Sequence, residues 1–353
     1  MIYLEQQKAR YMEKISDILS SLPPYVSPYI NSILARKDTS FRTAYAYAYA
    51  LKIFFRYISE NLHENEPGVE FLSSLLPRDI ETYIGTLVSY ETDEDREHNR
   101  KCAPHMKKHY HHMSASARAQ NLAAVRGLYK HLIKNQMLSV NPAALASTPV
   151  VPKKEVIAMN RMEAVKMVEN VKESKAPLVR TQFAERQQTR DACIVSLLLY
   201  TGMRISELVG INKQDIHKED NSVTVIRKGG RKETLYYGDN TASSIETYLS
   251  DPERKDSEDD PDALFVSRKG TRISVSAVER MVHKYSVSAT YKHITPHKLR
   301  STYATNLYEN THDAMKVKDA LGHSSMGVVQ KYIDRGQENR KEAADDVNYS
   351  DQW

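Results

Sequence analysis

The chain has 353 residues, 41% of them hydrophobic and 27% charged, with only 12 Gly and 13 Pro. That composition excludes collagen-like and disordered classes and leaves room for two domains, each with its own core. A net charge of +5 suits a polyanionic partner but is too small for a protein that binds by charge alone. Two cysteines, Cys102 and Cys193, exclude a disulfide framework, and no apolar run reaches signal-peptide or membrane-span length, so a cytoplasmic setting with no membrane partner is expected.

Residues 1–150 read as a helical domain. Ser40 is a candidate N-cap, and after it Ala44, Ala48, Leu51, Phe55 and Ile58 recur at helical spacing and would bury one face. Another helix follows Ser114, with Leu122, Val125, Leu128, Tyr129 and Leu132 as its apolar stripe. Arg126, Lys130 and Lys134, four apart, form a basic ridge on a different face, a candidate DNA-phosphate contact. Between them lies a segment, 91–113, first acidic and then rich in His and Lys, expected to be a surface insertion. His98, Cys102, His105 and His109 have spacings that a metal site can use, but histidines beside lysines equally suit a DNA-facing loop, and no metal is assigned.

Asn141-Pro142 ends the helical part, and Pro149, Pro152, Lys153 and Lys154 mark an extended linker. A second domain is expected over 156–340, with a polar tail over 341–353. Asn160 and Glu163 have the spacing of a helix start, and Asp191 to Tyr200 is an apolar helix that Gly202 can terminate. Ser222 to Ile226 and Glu233 to Tyr237 read as two strands joined through Gly229-Gly230, which puts Lys228 at a hairpin tip. Asp256 to Asp262, with five acidic residues in seven, is a solvated loop. Leu264 to Val266 looks strand-like, and Ser276 with Glu279 has capping-box spacing ahead of a helix that buries Val278, Met281, Val282 and Tyr285.

The fold class is thus mainly α with a small β-sheet, and the chemistry concentrates in the second domain. Thr295-Pro296 opens a helix whose first turn carries His297 and Arg300 on one face, beside free backbone N–H groups and the positive end of the helix dipole. Arg204 follows the glycine-terminated apolar helix; with Arg300 it offers two planar forks of donors for a phosphate that gains charge as it is attacked. His323 follows Gly322, the expected stop of a helix over 313–321, and can donate to a phosphate oxygen. Tyr332 lies one turn beyond Val328 on a short helix that Ser325 can cap, and is the candidate nucleophile. Lys228, with Lys232 as its competitor, is the candidate general acid. In chain order Arg204, Lys228, His297, Arg300, His323 and Tyr332 provide what is needed to break and rejoin a DNA strand with no cofactor.

On these motifs the region from Val156 to Arg335 resembles the tyrosine recombinase (phage integrase) family, and within it the Xer recombinases of the single-protein type. Leu22-Pro23-Pro24-Tyr25-Val26, Arg227-Lys228-Gly229-Gly230, Thr271 to Tyr285 and Ile294 to Tyr303 carry the same likeness. The helical first half is similar to the family's core-binding domain. The resemblance implies a two-domain C-shaped clamp on a double-stranded DNA recombination site and a 3′-phosphotyrosyl intermediate. It also implies strand exchange through a Holliday junction in a homotetramer built from monomers or dimers on single sites. The six named residues would take the catalytic places, a C-terminal segment would dock on a neighbouring subunit, and a septal DNA translocase is a possible partner. The cellular task implied is resolution of chromosome dimers before division. A recombinase of a mobile element, a non-catalytic DNA-binding protein and a swivelling topoisomerase are the alternatives.

Overall fold

The computed structural model describes residues 2–36, 40–102, 108–152, 156–173, 187–227, 229–322 and 326–333. The chain divides into two units, Met1–Lys153 and Lys154–Trp353. Most of the described residues are helical, with one small sheet.

The first unit is helical: α1 (Ile2–Leu19), α2 (Val26–Leu34), α3 (Phe41–Asn61), α4 (Val69–Ser74), α5 (Pro77–Thr86), α6 (Asp93–Lys101), α7 (Ala115–Lys134) and α8 (Pro142–Leu145). The two expected caps form: the Ser40 hydroxyl accepts from the Thr43 N–H and the Ser114 hydroxyl from the Ala117 N–H. The apolar stripes of α3 and α7 are buried together in one core. Inside α7, a Cβ at Gly127 would lie 1.9 Å from the Tyr29 hydroxyl. A glycine in a helix interior costs about 1 kcal/mol, and here it makes room for that ring.

The 91–113 insertion carries a short helix of its own. Thr92 and Asp95 close a capping box that starts α6, and Asn99 holds the returning strand by donating to the His109 carbonyl while accepting from the His109 N–H. Tyr90 and His111 bridge the base of the excursion, Arg96 pairs with Glu60 at the end of α3, and the rings of His98 and His109 stack at 4.1 Å. Single-sequence reading misses this because α6 has no apolar stripe; polar pairs hold it.

The second unit contains α9 (Arg161–Lys172), α10 (Gln188–Thr201), α11 (Ile205–Val209), β1 (Ile216–His217), β2 (Ser222–Ile226), β3 (Lys232–Tyr236), α12 (Asp239–Leu249), α13 (Val275–Ser286), α14 (Pro296–Thr311), α15 (Ala314–Leu321) and α16 (Met326–Ile333). Helix α10 is its axis: Cys193, Ile194, Val195, Leu197 and Leu198 are all buried, because α9, α12 and α14 pack around it. A helix apolar on every side is a helix surrounded. The Asn160–Glu163 capping box forms as its spacing predicts. The sheet is antiparallel in the order β1-β2-β3, with Ile226 paired to Lys232.

Three expectations shift. Strand β3 spans Lys232–Tyr236, not Glu233 to Tyr237, because the register begins with the Ile226–Lys232 pair. Leu264 to Val266 joins no sheet; Ala263 and Val266 make isolated bridges to Asn212 and Arg272. Helix α13 is capped by Ser274, whose backbone is extended and whose hydroxyl accepts from the Ala277 N–H, so Ser276 lies inside the first turn.

Candidate active site

Helix α10 ends at Gly202, whose φ of +62° is left-handed. A Cβ there would lie 2.4 Å from the Tyr303 ring, so both conformation and space call for glycine. Two residues on, Arg204 is the N-cap residue of α11. Its backbone N–H and its Nη1 each donate to the Glu207 carboxylate at 2.8 Å. Glu207 is buried while Arg204 is 38% exposed, so the acid anchors the root of the arginine and leaves its outer face accessible. The Glu207 carboxylate is 3% exposed, and its burial makes it part of the site. The three-residue spacing that lets both bonds form is the signal that points to it.

Helix α14 begins at Pro296 after Thr295, as expected, although the Thr295 hydroxyl makes no capping bond. Arg300, one turn in, is only 2% exposed. Its Nη1 donates to the Gly202 carbonyl at 2.5 Å and its Nη2 to the Leu321 carbonyl at 2.7 Å. Both acceptors lie at the C-terminal ends of helices, α10 and α15, where carbonyls lack helical partners and the dipole is negative. Burial, and then the nearby charge of Arg204, lower the Arg300 pKa to about 10, with Glu207 and Tyr332 acting in the opposite sense. The guanidinium is still charged at neutral pH, and an anion between the two arginines would relieve their repulsion.

His297 remains accessible from outside, yet desolvation of its ring, and then the charges of Arg300 and Arg204, lower its pKa from the ordinary value. At neutral pH it is an uncharged imidazole with one nitrogen free to donate and one to accept. Tyr332, on α16, is 7% exposed among Ala304, Val317, Leu321 and Val329, and Leu321 is the residue whose carbonyl accepts from Arg300. Four of the six candidates, Arg204, His297, Arg300 and Tyr332, are thereby brought together. Lys228 and His323 lie outside the described residues, as do Ser325 and the tail. Gly322 before His323 is left-handed at φ +60° and ends α15, which Asp313 caps.

The hairpin that carries Lys228 is anchored by a residue that sequence reading passes over as part of a motif. Arg227 is 5% exposed and donates from Nη1 to Glu207 and from Nη2 to Glu233, both at 2.8 Å. Although burial works the other way, its bonds and charge interactions with Glu233 and Glu207 raise its pKa. The competing lysine, Lys232, is exposed on β3.

In the first unit the candidate ridge divides. Lys130 and Lys134 are exposed, whereas Arg126 donates to the carbonyls of Ala143 and Ala146 and to the Thr148 hydroxyl. Among the described residues no group of three or more His, Cys, Asp or Glu side chains is arranged to hold a metal ion, and no helix is long and apolar enough to cross a membrane.

Comparison with known proteins places these geometries. Residues 158–339 match the model of the phage integrase family. The chain is 32% identical over 219 residues to tyrosine recombinase XerC of Pelobacter propionicus, covering 62% of this chain and 68% of the relative. It is 28% identical over 372 residues to tyrosine recombinase XerS of Streptococcus pyogenes serotype M6, covering 95% and 98%. Among solved structures, the fold matches the XerH site-specific recombinase bound to its palindromic difH substrate in a post-cleavage complex, with a TM-score of 0.63 at 18% identity, covering 87% of this chain and 80% of that one.

Proposed function

We propose, from the premise that this chain belongs to the phage integrase family and is a tyrosine recombinase of the XerC/XerS kind, that it cleaves and rejoins duplex DNA through a 3′-phosphotyrosyl intermediate. Arg204 and Arg300 grip the non-bridging oxygens of the scissile phosphate, and His323 donates a further bond. The Tyr332 oxygen attacks phosphorus as the bond from phosphorus to the 5′ oxygen breaks. The phenolic proton passes to His297, whose neutral imidazole can accept it, and the departing oxygen takes a proton from the hairpin lysine, Lys228. The arginines stabilise the negative charge that builds on the phosphate oxygens as the phenol attacks. The phosphotyrosyl bond retains the energy of the phosphodiester, so exchange through a Holliday junction in a tetramer, and religation, need no nucleotide cofactor.

Lys130 and Lys134, with Arg126 at the base of their ridge, contact the DNA backbone. The tail beyond residue 340 docks on a neighbouring subunit and links the protomers. The setting is the cytoplasm and the task is resolution of chromosome dimers, with a septal translocase as the partner that would bring sites together.

The observation that carries this reading is the placement of buried Arg300, which bonds the carbonyl of Gly202, two residues before Arg204, and that of Leu321, against which Tyr332 packs, with His297 one turn before it on the same helix. Its test is covalent capture on a nicked suicide duplex, with Tyr332→Phe as the control. Wild type forms the adduct, whereas the variant binds DNA and forms none; an adduct with the variant would refute the assignment. Sequencing the chromosomal DNA trapped on Tyr332 then separates a single chromosomal site, expected for dimer resolution, from the ends of a mobile element.

A further inference from the structure

The β2–β3 hairpin is tied to α11 by one ion network with a buried centre. Arg227 stands at its centre: Nη1 reaches Glu207, whose other oxygen holds Arg204, and Nη2 reaches Glu233 on β3, which Arg231 also bonds at 2.7 Å. The Arg227 backbone N–H closes the hairpin on the Arg231 carbonyl at 2.8 Å. A third segment arrives at the same place. A Cβ on Gly322 would lie 3.1 Å from a Glu233 carboxylate oxygen and 3.2 Å from Arg227 Nε, so the end of α15 rests on this ion pair.

Stability does not call for such an arrangement. Buried ion networks return little net free energy, because desolvation offsets attraction, and apolar residues of similar volume often serve as well. Here, moreover, the Arg227 Nε is buried without a hydrogen-bond acceptor, an omission that costs about 1–3 kcal/mol. What a planar fork between two carboxylates does supply is geometry: it fixes the distance and angle between them, which a single ammonium cannot. The two carboxylates belong to α11, next to Arg204, and to the hairpin. Lys228 follows Arg227 directly in the chain, and Lys232 faces Ile226 across the ladder.

We infer, resting on the recombinase reading above, that Arg227 is a positioning residue: it registers the hairpin lysine, the proton donor for the departing 5′ oxygen, against the Arg204 that grips the same phosphate. Without it Arg204 keeps its own bonds to Glu207 while the hairpin loses its reference, so the defect falls on protonation of the leaving group.

The test compares Arg227→Met on two nicked suicide duplexes bearing the site recovered by trapping, one with oxygen and one with sulfur bridging the scissile phosphorus to the 5′ carbon. A thiolate leaves without a proton. On the oxygen duplex we expect adduct formation to slow roughly 30- to 100-fold, the scale of a misplaced catalytic group. On the sulfur duplex the rate should return to within about threefold of wild type, since no acid is required. The double variant Arg227→Met/Glu233→Gln removes the carboxylate charge that then has only Arg231 as its partner and is expected to give the same pattern, so a folding defect of the single variant does not decide the matter. Equal slowing on both duplexes, or an unchanged oxygen rate, would overturn the inference. Absence of any adduct with wild-type protein would instead refute the recombinase reading beneath it.

Discussion

Replacing Gly202 with alanine tests whether the end of α10 is held by contact as well as by conformation. A non-glycine residue in the left-handed region costs about 1–2 kcal/mol. The added methyl would also sit 2.4 Å from Cδ1 and 2.9 Å from Cγ of Tyr303. These atoms are near the root of a mostly buried ring, which cannot swing away cheaply, and overpacking of this kind costs about 1–3 kcal/mol more. The sum, about 2–5 kcal/mol, corresponds to a drop in Tm on the order of 4–20 °C for a unit of this size. Differential scanning calorimetry of Gly202→Ala in wild-type and Tyr303→Ala backgrounds separates the parts. With the ring removed, only the conformational cost of about 1–2 kcal/mol should remain. An equal loss in both backgrounds would refute the steric argument, and no loss in either would refute the left-handed assignment as well.

Further outcomes follow from the same geometry. Arg204→Ala and Arg300→Ala should each slow adduct formation by roughly a hundredfold or more; only Arg300→Ala should also lower Tm clearly, since it alone leaves two buried carbonyls without a donor, and calorimetry checks the difference. His297 has a lowered pKa, so its contribution to stability is fully present above the unfolded value near 6.5 and is lost as pH falls through the folded value. Adduct formation should therefore hold steady from neutral pH down to about 6.5 and decline only below it, and a decline already under way at neutral pH would contradict the assignment. In the first unit, Lys130→Ala/Lys134→Ala should reduce the slope of log affinity against log salt by about 2. Arg126→Ala should instead lower thermal stability, because three acceptors around α8 lose their donor; salt titrations and melting curves read the two effects independently.

The helices that seat the site are legible where a local signal states them. Thr295-Pro296 predicts the start of α14, Gly202 and Gly322 predict two helix ends, and Ser40, Ser114 and Asn160 predict their caps. Each depends on residues within one turn. What escapes is set by distance in the chain. Spacing puts Arg126 on a face with Lys130 and Lys134, but it cannot reveal that α8 returns to cover one end of that face. Charged residues are ordinarily exposed, so nothing local announces that Glu207 and Arg227 are buried against each other across twenty positions. Ser274 and Ser276 compete for one cap, and the outcome depends on which backbone is extended as it leaves the Val266–Arg272 bridge.

The grip of Arg300 on two distant carbonyls has a consequence for folding. Gly202 and Leu321 lie far apart in the second unit's sequence, and a single buried side chain bonds the carbonyls of both. A chain cut short before Leu321 lacks one of those oxygens, and the buried guanidinium then has one acceptor fewer. Closure of the fold at both points is thereby a condition for settling the charge on which the site depends.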